Sequence, residues 1–358
     1  MFTGAERRSV HPRESPDAIR RLGTLLSADL LAASPVVCAA VTLLVLLLII
    51  AACGSGGKQF DAKIALRYAT HEGRTVLLEV APFEIGANHM RITVLDSIEE
   101  PVATANATVR LSRLESNGLV AEATPHPVGQ NRLETDVRLD DTGWWQTEVV
   151  LSEKESASFY FRLDPRAKPP LEIAPPDYQS DANAEGVYQH ALANYKSLNT
   201  LKWREELTSG LLAPTGIGAW VVTDGEAQRP DRAHYHVLSP GSSDYDTYRV
   251  GSTTCSQDRG RSWQCSSASS SDVLNLDYLR PTAFKLGRED VVDGENAQVV
   301  LFYNPGQQAW YSWWVGSETG YLRRQMMVAP GHYMLTEFFD QNVPFAIEIP
   351  SEAQVPGG

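Results

Sequence analysis

The sequence predicts a mainly β protein in two parts, an antiparallel sandwich followed by a larger block of many strands that a single helix opens. Three observations carry that expectation. Short runs of period-two alternation fill residues 60–163, a proline-rich break comes next, and a clear stretch of helical period lies directly after the break. A second and longer series of strand-like runs then continues to the C-terminus.

In the first part, "HMRITVLD" puts Met90, Ile92 and Val94 on one strand face, and "ATVRLSRL" does the same with Val109 and Leu111. "WWQTEVVL" and "SFYFRLD" complete the set, with no helical period between them. About seven such strands in roughly a hundred residues suggest an antiparallel sandwich, immunoglobulin-like in outline. The break, "DPRAKPPLEIAPPDYQSDANAEG", contains five prolines that deny backbone donors and stiffen the chain, so residues 164–181 read as a linker. Residues 182–358 form the second part. There "ANAEGVYQHALANYKSL" places Val187, Ala191, Leu192, Tyr195 and Leu198 on one helical face, and "LKWREELTSG" alternates as a strand. Further strands are expected around Trp220, Tyr235, Tyr248, Trp263, Val300, Trp313, Leu322 and Phe338.

The N-terminal segment has a different character. An apolar run from Val36 to Ala52 suits a signal h-region, and Arg20 and Arg21 on its amino side direct the rest of the chain outward. Ile50-Ala51-Ala52-Cys53, ahead of a Gly/Ser spacer, resembles the lipobox of bacterial lipoproteins. That resemblance implies removal of residues 1–52, lipidation of Cys53, and a spacer over 53–59. An uncleaved anchor is the alternative, and either way the remainder faces the extracytoplasmic side of a membrane.

Net charge is −13, from 31 basic and 44 acidic residues, with no basic block after Cys53, so nucleic acid and anionic lipid headgroups are poor partners. Of the four cysteines, Cys38 leaves with the signal and Cys53 takes lipid, leaving Cys255 and Cys265. In "CSQDRGRSWQC" a turn around Gly260 brings them together as a hairpin disulfide, whereas the spacing is not a zinc signature.

Two stretches resemble known families. "VAPFEIGANHMRITVLDSIEEPVATANATVRL" with "DTGWWQTEVVL", about residues 76–151, looks like the YtkA-like and copper-resistance-associated sandwich domains. The stretch from 182 to 351 resembles the LolA/LppX superfamily of extracytoplasmic lipoproteins and lipoprotein carriers. It does so through its opening helix, "DRAHYHVL", "GRSWQC", and above all "YSWWVGSETGYLRRQMM" and "HYMLTEFFDQNVPFAIEIP". Glu318, Thr319, Gly320, Arg323, Asn342, Pro344, Ile349 and Pro350 fill the places of that family's motif. The resemblance implies a curved antiparallel half-barrel closed by helices over an apolar cavity. Leu274 to Leu286 would supply a covering segment, although Pro281 interrupts a helix there.

No catalytic motif is present: no Gly-x-Ser-x-Gly, no His-Glu-x-x-His and no phosphate-cradling glycine loop, so a non-enzymatic role is expected. His234 and His236 share one strand face, opposite Ala233, Tyr235 and Val237, and read as a wet-face pair. If Ala329-Pro330-Gly331 is a hairpin loop, Met326 faces Met334 and Val328 faces His332. Met326 and Met334 then line a cavity as adaptable apolar wall or, with His332, form a soft copper site. Trp310 and Trp314 fall on one face and Trp313 on the other, serving either as cavity wall or as core. The expected function is a lipid-anchored protein that binds or carries a hydrophobic ligand, most naturally lipid, with the sandwich as spacer or docking module. Copper handling and an empty structural role are the alternatives.

Overall fold

The computed structural model describes residues 60–353, except 71, 98, 105, 130, 211–219, 240–242 and 270–271. Cys53, the lipobox and the spacer lie outside the described residues.

Nine strands precede the proline-rich break, where the sequence suggests about seven. They are β1 (Ile64–Ala69), β2 (Thr75–Ala81), β3 (Gly86–Leu95), β4 (Thr108–Arg113), β5 (Leu119–Ala123), β6 (His126–Pro127), β7 (Leu133–Leu139), β8 (Gly143–Ser152) and β9 (Glu155–Leu163). They pair antiparallel into a five-stranded sheet, β1-β2-β3-β7-β6, and a four-stranded sheet, β5-β4-β8-β9. Met90, Ile92, Val94, Val109 and Leu111 are all buried as the alternation requires, and both sheets contribute to one core.

The rest is dominated by one open sheet of eleven antiparallel strands. Its members are β10 (Thr200–Thr208), β11 (Trp220–Gln228), β12 (Arg232–Ser239), β13 (Ser243–Val250), β14 (Thr253–Asp258), β15 (Gln264–Ser267), β16 (Thr282–Val292), β17 (Glu295–Asn304), β18 (Ala309–Gly316), β19 (Leu322–Ala329) and β20 (His332–Phe339). Two meanders, β10 to β15 and β16 to β20, join where β20 pairs with β10. Cys255 lies directly opposite Cys265 across β14–β15 and is disulfide-bonded to it. Trp263, expected in a strand, sits in the turn of that hairpin.

Helix α1 (Ala182–Ser197) starts at Asp181, whose carboxylate accepts from the Asn183 (2.7 Å) and Ala184 (3.4 Å) amides. Its buried stripe is Ala184, Tyr188, Ala191 and Tyr195, with Val187 and Leu192 flanking it half-buried, so the helix is turned slightly from the expected face. The stripe packs on Val300, Phe302, Tyr311, Trp313, Val315 and Leu322. Gly320 makes the close approach possible: its φ is +65°, and a Cβ there would strike Asn194 and His190 of the helix. Other residues on which that resemblance rests are framework too. Arg323 donates from Nε to Glu295 (2.6 Å), and Asn342 accepts the Asn199 amide at 2.8 Å.

The opposite face of β16–β20 is covered by the sandwich, and the two share one hydrophobic core. Tyr160 meets Trp314 edge-on at 5.0 Å, and Lys285 reaches Glu115 at 2.8 Å. Arg288 binds Ser112 (2.7 Å) and Gln146. Residues 164–181 run along this seam: Ala174 is buried and accepts the Trp310 indole N–H at 2.8 Å, while Tyr178 stacks on the same ring.

Candidate functional site: a half-open trough beside the helix

The large sheet has one filled face and one partly open face. On the filled face, Leu66, Tyr68, Phe159 and Tyr160 of the sandwich meet Met326, Tyr333 and Leu335 around a void of only ≈ 20 Å³, about the room one water needs. Polar clefts open along the seam; one of ≈ 170 Å³ is lined by Lys154, Glu155, Asp293, Arg324 and Glu337, a charged wall that suits water rather than hydrocarbon. Farther along the same face the C-terminal strap crosses β10–β12, with Arg232 donating to the Ile347 carbonyl at 2.8 Å.

On the other face, α1 covers β16–β19. A short segment from Val273 to Leu279 joins it, with Leu274 and Leu279 buried and Asp277 bridged to Lys196 at 2.7 Å. This is the expected covering segment, but it stops at Pro281, after which the chain becomes β16. Past the cover, strand register defines rows of side chains that alternation places on the helix side. One row runs Met327, Met334, Leu207, Val221 across β19, β20, β10 and β11. The next runs Gln325, Thr336, Glu205, Thr223, Val237, Tyr245. A third runs Phe338, Trp203, Gly225, Tyr235, where the Trp203 ring lies so close that a Cβ at Gly225 would collide with it. Met327, Met334, Leu207, Val221, Glu205, Thr223, Val237 and Tyr235 are all half-buried, so these rows form a partly covered face, here called the trough, that no packed layer of the described residues seals.

Tyr278 of the covering segment is about half exposed, and desolvation raises its hydroxyl pKa, with Glu205 raising it further. Glu205 behaves alike: burial holds its carboxyl above the usual range, although Thr336 opposite it pulls the other way. Tyr188, Tyr195 and Tyr311 are buried in the core under the helix, and burial raises each of their hydroxyl pKa values.

The structure separates the residues that the sequence gathers. Trp310 and Trp314 do share one face and Trp313 the other, but all three sit in packed core rather than on the trough. Arg162 lies over Trp310 at 4.2 Å, Trp314 donates to Asp290 at 3.0 Å, and Trp313 donates to Gln325 at 2.8 Å beneath Tyr188. The β19–β20 turn needs a correction. Its loop is Pro330-Gly331 alone, so Ala329 faces His332, Met327 faces Met334 and Met326 faces Leu335. One residue of register turns side chains to the opposite face. Met326 therefore belongs to the sandwich-side core, apart from Met334 and His332, and the three do not assemble as the soft ligand set.

His234 and His236 do project from one face, and both contact Asp246 Oδ1, at 2.9 and 3.3 Å. Among the described residues no group of three His, Cys, Asp or Glu is placed to hold a metal ion. Sequence reasoning missed Glu205, Leu207, Met327 and Tyr278. The alternation of "LKWREELT" was the available signal for the first two, since it puts Leu201, Trp203, Glu205 and Leu207 on one side.

No protein-family model matches the chain, and no curated protein sequence does. Among solved structures, lipoprotein LppX of Mycobacterium tuberculosis aligns over its whole length with 47% of this chain, at 13% identity and a TM-score of 0.38. LprF of Mycobacterium bovis aligns over 99% of its length with 48% of this chain, again at 13% identity and 0.38. A LolA-superfamily protein of Nitrosomonas europaea aligns over 97% of its length with 48% of this chain, at 10% identity and 0.23. Lipoproteins of this kind are thus structural neighbours over about half of the chain, at a similarity that decides nothing about ligand or location.

Proposed function

We propose that the protein is a non-enzymatic, membrane-anchored extracytoplasmic lipoprotein that holds an apolar chain in the trough beside α1. The observation that carries the reading is the row Met327, Met334, Leu207, Val221. It consists of four apolar side chains on adjacent strands, left half-buried, whereas the apolar part of the other sheet face closes on the sandwich around a single-water void. Two methionines adapt to chains of different shape, and each buried methylene contributes ~0.8 kcal/mol. The Cys255–Cys265 disulfide suits an oxidising compartment, and Cys53 behind its lipobox would tether the chain there. In this reading the YtkA-like sandwich is a buttress that shares the sheet's core rather than a copper module.

The test is titration of folded, delipidated protein with a diacyl phospholipid of net-neutral head group, phosphatidylcholine. Uptake by the wild type and weakened uptake by Met334→Glu, which puts a charge on the trough wall, support the reading. Uptake by neither protein overturns it. Anchoring is tested separately by intact mass of the membrane fraction: loss of residues 1–52 plus lipid mass is expected, and an unmodified full-length chain contradicts it.

A further inference from the structure

Glu205 is a charged side chain among uncharged ones. It stands in the middle of the second row, between Thr336 on β20 and Thr223 on β11, with the Met334–Leu207–Val221 row on one side and Trp203 on the other. No ion pair reaches it among the described residues, unlike its neighbour Glu206 on the reverse face, which lies 3.6 Å from Arg204. Alternation brings only two other charged side chains to this face of β10–β14, and both are engaged elsewhere. Arg249 donates to the Ser269 carbonyl at 2.9 Å, and Asp258 pairs with Arg261 at 3.0 Å. The groups around Glu205 are hydroxyls instead: Thr336 and Thr223 beside it, and Tyr245 farther along the row.

We infer that Glu205 anchors the polar end of the ligand and selects amphiphiles with a neutral, hydroxyl-bearing head, such as an acylated glycerol, against anionic ones such as a fatty carboxylate. The inference rests on the trough being the ligand site and adds the head-group chemistry to it. A hydroxyl donates to the carboxylate and accepts from Thr or Tyr hydroxyls, so it replaces the water that half-burial removes. A carboxylate head brings a second negative charge beside one that has no cation to offset it.

The experiment uses the full mature chain, delipidated, at about pH 8, with 1-monopalmitoylglycerol and palmitate as probes of equal chain length. Wild type is expected to bind the glyceride at least about tenfold more tightly than palmitate. Glu205→Gln keeps shape and hydrogen bonding but removes the charge, and should bring the two within roughly threefold, chiefly by admitting palmitate. The wild-type comparison needs no variant, and a thermal melt of the variant confirms its fold. Equal binding of both probes by wild type, or a preference unchanged in Glu205→Gln, overturns the role of Glu205 while leaving the trough as a chain-binding site. Binding of neither probe by either protein overturns the trough itself.

Discussion

The large sheet offers a controlled comparison of its own two faces. Both are made by the same strands, one residue out of phase. On the sandwich side, Trp310, Trp314, Met326, Val328 and Tyr333 are buried against a second layer that, away from the polar clefts at the seam, leaves space for about one water. On the helix side the same strands carry buried aromatics only under α1, and the row from Met327 to Val221 stays half-buried. A closed face contributes stability and an unsealed face can take up a ligand, so the two should respond differently to the same kinds of perturbation.

The largest expected contrast is between large-to-small changes on the two faces. Trp314→Ala removes a fully buried indole along with its hydrogen bond to Asp290 and its contact with Tyr160, and should cost on the order of 3–5 kcal/mol in denaturant unfolding. Val221→Ala, on the half-buried row, should cost less than about 1 kcal/mol. Similar losses at both positions would erase the distinction.

The next effect comes from Glu206 on the sandwich side. It accepts the Ala69 amide of β1 at 2.8 Å, and burial pushes its pKa from an ordinary 4.5 up to about 7. The native state therefore keeps a proton that the unfolded chain releases between those values. This contribution is present in full below about pH 4.5, declines as pH rises to about 7, and is then flat; the loss is on the order of 3 kcal/mol. Glu206→Gln should remove this slope from the pH dependence of urea midpoints. A slope of unchanged size would assign it to other groups.

A smaller effect of about 2–3 kcal/mol is expected on reducing the Cys255–Cys265 bridge, which closes a short hairpin at the edge of the open half. Unfolding measured with and without reductant checks this. The smallest stability effect should come from Met334→Ala, while its loss of chain binding should be the clearest functional one.

Legibility in the sequence splits along the same line. Alternation correctly separated Trp313 from Trp310 and Trp314, and the hairpin between the cysteines is as its Gly-containing turn suggested. Alternation says which residues share a face, but not what will cover it. Lys202, Arg204, Glu206 and Thr208 form the polar side of an alternating strand, yet Glu206 and Thr208 are buried at the sandwich contact, joined to β1. The Met326–Met334 pairing failed for a local reason, because a turn of two residues rather than three shifts the register by one. Glu205 was hidden because a carboxylate in "REEL" looks solvated until β20 pairs beside it and the fold desolvates it.

The central claim is that the apolar chain lies beside α1 and not between sheet and sandwich. Photo-crosslinking with a diazirine-bearing fatty-acyl phospholipid, with peptide mapping of the delipidated and reloaded protein, tests it most directly. The account predicts label on peptides carrying Leu207, Val221, Met327 and Met334. Saturable label confined to the seam around Phe159, Tyr160 and Leu335 would contradict it.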